Sequence, residues 1–115
     1  MVRLIAEKNM DPLLQDVRDE AVRGVILSIL IQHRLSWVAF SSLKRAVQMG
    51  QGFPITDDDL RFQLAYLGDA ARAYVEAKPL RTGRADAFEY AYVRATAKAV
   101  DLRAGRIPTD PGVGL

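Results

Sequence analysis

The spacing of apolar residues switches from a helical to an alternating period near residue 72, and that change constrains the fold more than any single motif. Up to Ala71 the apolar positions recur at i, i+3, i+4 and i+7, the habit of helices buried along one face. Beyond residue 72, two stretches rich in aromatic and β-branched residues alternate as half-buried strands do. A hairpin is therefore expected to stand beside a leucine-lined helix.

The first helix is expected over 12–34. Asp11 can cap its free N–H groups, and Pro12 is tolerated at the first helical position. Val22, Val25, Ile26, Ile29 and Leu30 form its buried face, and Leu14, Val17 and Ala21 carry a stripe upstream. Leu27 and Ile31 make its later turns apolar nearly all round, so it is central or shared with a second subunit. Gly24 either bends it or lets another backbone approach closely. A second helix over 41–49 has Leu43, Ala46 and Val47 on one face, with Gly50 and Gly52 closing it; 37–40 reads as its first turn or as a short extended piece. In the third helix Thr56 and Asp59 make a capping-box-like pair, and Leu60, Leu64 and Leu67 point inward. Strands over 74–80 and 88–95 are joined through Gly83, which can take positive φ. Thr96 caps a last helix that Gly105 ends, and 106–115, with Pro108 and the turn-like Asp110-Pro111-Gly112, reads as an extended tail.

Bulk properties narrow the class. A chain of 115 residues suits one domain able to bury a core without disulfides or metal. There is no cysteine, which removes zinc-finger, thiol and disulfide chemistry and suits a reducing cytoplasm. The start turns charged too early for a signal peptide, and the most apolar run, 25–31, is far short of the roughly 20 residues that span a bilayer. Net charge is only +2, so the distribution of charge has to decide about nucleic acid.

Three helices, a hairpin and a closing helix, in that order, match a winged helix-turn-helix: mainly α with a small β-hairpin and an N-terminal helical extension. From Val22 to Val113 the chain also resembles the small winged-helix proteins of Mu-like phages and prophages, some of them described as transcriptional regulators. The stretches that carry the resemblance are "LAYLGDAARAYVEA", "YAYVRATAKAVDLRAG" and the more specific ending "IPTDPGVG". Family members often have glycine where Ala99 stands. The resemblance implies a fold and a phage setting more than an activity. The expected division is an extension over 1–18 that could serve dimerisation, a winged-helix domain over 19–105 and the tail over 106–115.

No enzyme, cofactor or metal site is expected. The only histidine, His33, lies near the end of the first helix, where it suits the helix dipole, and nothing in the sequence pairs it with a nucleophile. Gly50-Gln51-Gly52 lacks the Gly-Lys-Ser/Thr of a phosphate loop and lies between helices. Asp57, Asp58 and Asp59 suit a helix N-terminus better than a cation, because consecutive helical positions diverge.

Two functions follow. The leading one is DNA binding in transcription regulation. From residue 72 to 106 there are eight basic residues (Arg72, Lys78, Arg81, Arg84, Arg94, Lys98, Arg103, Arg106) against four acidic (Glu76, Asp86, Glu89, Asp101). Arg81 and Arg84 at the wing tip, with Lys44 and Arg45 on the second helix, are the phosphate contacts, and Arg61 and Gln63 are the base readers, on a homodimer joined through the first helix. The aspartates opening the third helix count against this, since carboxylates facing a duplex are repelled. The alternative is a protein contact in phage assembly or regulation, using the outward face Asp58, Phe62, Tyr66 and Asp69 with Phe62 and Tyr66 as an exposed aromatic pair. Tyr74, Phe88, Tyr90 and Tyr92 are expected to pack across the strands rather than to stack bases.

Overall fold

Pro12–Gln32 forms one long helix, α1, against which the other elements pack. The computed structural model describes residues 12–33, 36–51, 54–79 and 90–115. Val22, Ile26, Leu27 and Leu30 of α1 are fully buried, with Val25, Ile29 and Ile31 partly so. The apolar girth read from the sequence thus belongs to a helix covered within its own chain by α2, α3, β3 and α4. The boundary expected at residue 18 falls inside α1, whose Arg18 and Asp19 are bonded to Asp59 and Gln63.

After α1 comes a two-residue strand, β1 (Val38–Ala39), then α2 (Phe40–Gln51) and α3 (Asp57–Leu67). Leu43 and Val47 of α2 meet Leu60, Leu64 and Leu67 of α3 in the same core as α1. Thr56 is the N-cap of α3: its Oγ1 accepts the Asp59 N–H at 3.1 Å, satisfying one of the orphan donors. The reciprocal half of the capping box does not form, because the Asp59 carboxylate turns to Arg18 and Gln63.

A turn through residues 68–73 leads into β2 (Val75–Pro79), which pairs antiparallel with β3 (Tyr90–Ala95). The sheet order is β1-β3-β2, so the expected two-stranded hairpin gains a third strand from the extended piece before α2. Val38, Val75, Val93 and Ala95 turn inward, as two-residue alternation requires. Tyr74 is buried while Tyr92 stands exposed, so the expected aromatic sheet face is split; Phe88 and the Tyr90 side chain lie outside the described residues. The last helix, α4 (Ala97–Arg103), ends at Gly105 with φ +77. Thr96 precedes α4 without a side-chain cap; its hydroxyl donates instead to the Ala73 carbonyl at 2.7 Å.

Ala73 itself has φ +53, a left-handed conformation in a residue with a Cβ. Relief of that strain outweighs the extra backbone freedom glycine brings to the unfolded chain. Ala73→Gly is therefore expected to raise stability by roughly 0.5–1 kcal/mol, read as a higher urea midpoint at unchanged m-value.

Residues 106–115 do not trail away. Ile107 packs on the core, Val113 is only 6% exposed, and the Gly114 N–H donates to the Glu20 carbonyl of α1 at 2.9 Å. Among the described residues, no helix is long and apolar enough to cross a membrane.

Candidate functional site

The outward face of α3 is the most distinctive surface. Leu60, Leu64 and Leu67 lock the opposite side into the core, leaving Asp58, Phe62 and Ala65 toward solvent. The Asp58 side chain is 96% exposed and Phe62 is 60% exposed, an uncommon exposure for so large an apolar ring. Around this face the basic side chains are already engaged. Arg61 Nη1 meets Asp58 Oδ1 at 2.9 Å and its guanidinium lies 5.5 Å from the Phe40 ring centroid. Lys44 Nζ reaches across from α2 to Asp57 Oδ1 at 2.7 Å, and that hydrogen bond holds the Asp57 carboxyl below its ordinary pKa. Arg45, by contrast, is exposed on α2 and makes no ion pair among the described residues.

Gln63 is not on this face. It is fully buried, and its amide lies inside a polar network between α1 and α3. Arg23 Nε donates to Gln63 Oε1 at 2.7 Å, while Gln63 Nε2 donates to Asp19 Oδ1 at 2.9 Å and to Asp59 Oδ1 at 3.3 Å. Arg18 adds a 2.8 Å pair to the other oxygen of Asp59. A base-reading role for Gln63 is thus corrected: a buried amide with both ends bonded offers nothing to a groove.

The expected aromatic pair is also divided. Tyr66 is half-buried, with the Arg23 guanidinium 3.5 Å from its ring centroid and that of Arg72 at 3.7 Å. The C-terminal segment covers its hydroxyl, since a Cβ on Gly112 would lie 1.9 Å from it. Asp69 is not a free acid of the helix face but the organiser of the turn after α3. Its carboxylate accepts the Arg72 N–H at 2.7 Å and pairs with the Arg72 guanidinium. The backbone hydrogen bond, followed by that pair, lowers the Asp69 pKa. Of the expected contact face, then, Asp58 and Phe62 remain accessible. Arg81 and Arg84 lie outside the described residues.

Arg18, Asp19 and Arg23 organise the structure without having been singled out from the sequence. Arg72 and Asp110, which the sequence offers only as one basic residue of eight and as part of a turn, join them. One signal was legible: Arg23 is a lone cation inside an apolar helical run, between Val22 and Val25. Such a residue must find partners when buried.

Tyr74 links this region to the hairpin foot. Its hydroxyl donates to Asp110 Oδ2 at 3.0 Å, and burial, then the Asp110 bond, raises its pKa above the ordinary 10.0. A folded pKa above the unfolded one means a contribution fully present below about pH 10 and lost as pH rises through the folded value. Chemical denaturation from pH 9 to 11.5 is expected to show Tyr74→Phe losing less stability than the parent over that interval.

No family model, curated protein or solved structure matches this chain.

Proposed function

We propose that this chain is a non-enzymatic winged helix-turn-helix module of the phage and prophage type, acting in the cytoplasm, and that it grips a protein partner with the outward face of α3. The winged-helix assignment is supported by the element order α1-β1-α2-α3-β2-β3-α4 and the strand order β1-β3-β2. The phage setting rests on the resemblance carried by the closing segment. The observation that carries the contact reading is the composition of α3 itself: Phe62 stands exposed beside Asp58 and Ala65, while Gln63 is buried and Arg61 is held by Asp58. A helix reading DNA presents Arg, Lys, Asn or Gln to base edges. This one presents a phenyl ring beside a single accessible carboxylate, Asp58, which suits an apolar pocket with a polar rim.

DNA contact through the hairpin is the second reading. It is favoured by Arg45 on α2, exposed and without an ion pair among the described residues. An anisotropy titration with random-sequence duplex at low salt separates the two. The protein-contact reading expects no saturable binding at micromolar protein. Binding that collapses with added salt, and with Arg81→Ala plus Arg84→Ala, would replace it by the DNA reading. On the protein side, a photo-crosslinker in place of Phe62 is expected to trap one phage-encoded partner, and Phe62→Ala to lose that partner while keeping its circular dichroism.

Self-association through α1 belongs to the same proposal. Leu14 is 60% and Val17 53% exposed on its first turns. Light scattering of the parent and of Val17→Ser tests it; a parent monomeric at every concentration removes it.

A further inference from the structure

One edge of the sheet is open. In the order β1-β3-β2, β2 has a strand neighbour on one side only. The Thr96 N–H donates to the Tyr74 carbonyl at 3.0 Å, which fixes the phase of the ladder. Tyr74, Glu76 and Lys78 therefore turn their backbone groups toward β3, and Val75 and Ala77 turn theirs away. Among the described residues, nothing hydrogen-bonds the Ala77 N–H or carbonyl. That edge borders a groove of about 730 Å³ between β2 and α3, lined by Trp37, Leu64, Ala65, Ala73 and Ala77 among others. Gly68 closes one end of it. A Cβ there would lie 3.2 Å from Val75 Cγ2 and 3.4 Å from the Val75 carbonyl oxygen, so α3 lies against β2 at Val75.

Charge marks the edge beside Ala77. Strand alternation puts Glu76 and Lys78 on the opposite face from Ala77, and both are exposed. The two Arg94 bonds both go to Glu76 Oε2, which leaves Oε1 without a partner among the described residues. Lys78 has no ion pair among them.

We infer that the partner gripped by α3 also adds an extended segment to the β2 edge, antiparallel, with the order acid, branched aliphatic, base. This rests on the protein-contact reading and names what that partner brings. The central residue exchanges both hydrogen bonds with Ala77 and turns its side chain, as Ala77 does, into the groove. The acid before it falls opposite Lys78 and the base after it opposite Glu76, where cross-strand pairs of opposite charge are favourable. Backbone bonds supply affinity and the three side chains supply selectivity. Lys78 and Pro79 keep other strands off, the first by its charge and the second by lacking an N–H. Ala65 ties the groove to the contact face, since it lines the groove and follows Phe62 by three residues on the same side of α3. The chain's own Glu76-Ala77-Lys78 has the same charge order, but the alanine methyl of a second copy would leave the groove largely unfilled.

Trp37 is the chain's only tryptophan and 40% exposed, so its emission reports on the groove directly. The probe is an acetylated, amidated peptide with Glu-Val-Lys at its centre, titrated into the full chain. A saturable blue shift of the Trp37 emission is expected, with reversed Lys-Val-Glu and with Glu-Gly-Lys peptides each bound about ten-fold more weakly. Lys78→Glu changes an exposed side chain and is expected to transfer the preference to a Lys-Val-Lys peptide. Phe62→Ala is expected to leave the titration unchanged, so failure of the α3 contact and failure of the groove are read apart. No saturation up to millimolar peptide, equal binding of Glu-Val-Lys and Lys-Val-Glu, or an unaltered preference in Lys78→Glu overturns the strand site. A blue shift on concentrating the protein alone, abolished by Lys78→Glu, overturns the partner segment and gives the edge to a second copy. A partner that Phe62→Ala loses and Lys78→Glu holds as tightly as the parent overturns the link between groove and partner.

Discussion

Replacing Arg23 with methionine is expected to destabilise the fold by about 3 kcal/mol, lowering the melting temperature by roughly 12 °C. Methionine keeps most of the apolar stem, so the loss isolates the guanidinium. That group donates to Gln63 at 2.7 Å and to the Gly112 carbonyl at 3.2 Å, and it covers one face of Tyr66. A hydrogen bond from a charged donor contributes about 1.5–3 kcal/mol, and a buried acceptor left alone costs about 1–3 kcal/mol. Gln63 Oε1 becomes that acceptor. The effects must not add: Arg23→Met with Gln63→Leu removes both ends of one bond, so the double variant is expected to lose about 1–2 kcal/mol less than the sum of the singles. Urea melts at constant m-value read this directly. Additive losses, or a single loss below about 1 kcal/mol, would show that the Arg23–Gln63 contact does not hold α1 to α3.

Gly24→Val is expected to cost about 2 kcal/mol and to free the C-terminal segment. Glycine to a side chain inside a helix ordinarily stabilises by up to about 1 kcal/mol, so the expected sign is opposite to the propensity rule. The reversal comes from position, because the added Cβ would fall 2.0 Å from the Gly114 carbonyl oxygen. A backbone atom cannot swing aside as a flexible side chain can. The segment must lift, exposing Val113 and breaking the bonds from Arg23, Tyr74 and the Gly114 N–H. Proteolysis provides a second readout: cleavage beyond residue 105 should accelerate before global unfolding does. A variant at least as stable as the parent would mean that the close approach does not constrain the helix.

The α3 face illustrates where sequence periodicity stops being informative. A helical projection correctly separates Leu60, Leu64 and Leu67 from Asp58, Phe62 and Ala65, because that division depends only on the turn per residue. It cannot say what covers the flanks. Gln63 sits at the core edge in projection, and Arg23 and Asp19, forty and forty-four residues earlier, join Asp59 in making its complete burial tolerable. Tyr66 likewise projects outward, and the segment through Gly112 and two guanidiniums enclose it. Asp69 reads as an acid on the helix and acts in the turn, because its donors, the Arg72 N–H and guanidinium, lie beyond the helix end.

What the sequence determined by itself was local: the switch from helical to alternating period, the Thr56 cap, the stop at Gly105 and the inward sides of α1, α2 and α3. Each depends on interactions within a few residues, where backbone geometry is regular. The tertiary structure alone decided the third strand, the Arg23–Gln63–Asp19 network and the return of residues 106–115 onto α1. These join residues far apart in the chain, and their chemistry is indistinguishable from that of solvent-facing groups until folding brings the partners together. Gly24 spans both levels: its missing side chain is visible in the sequence, and its reason is a carbonyl ninety residues away.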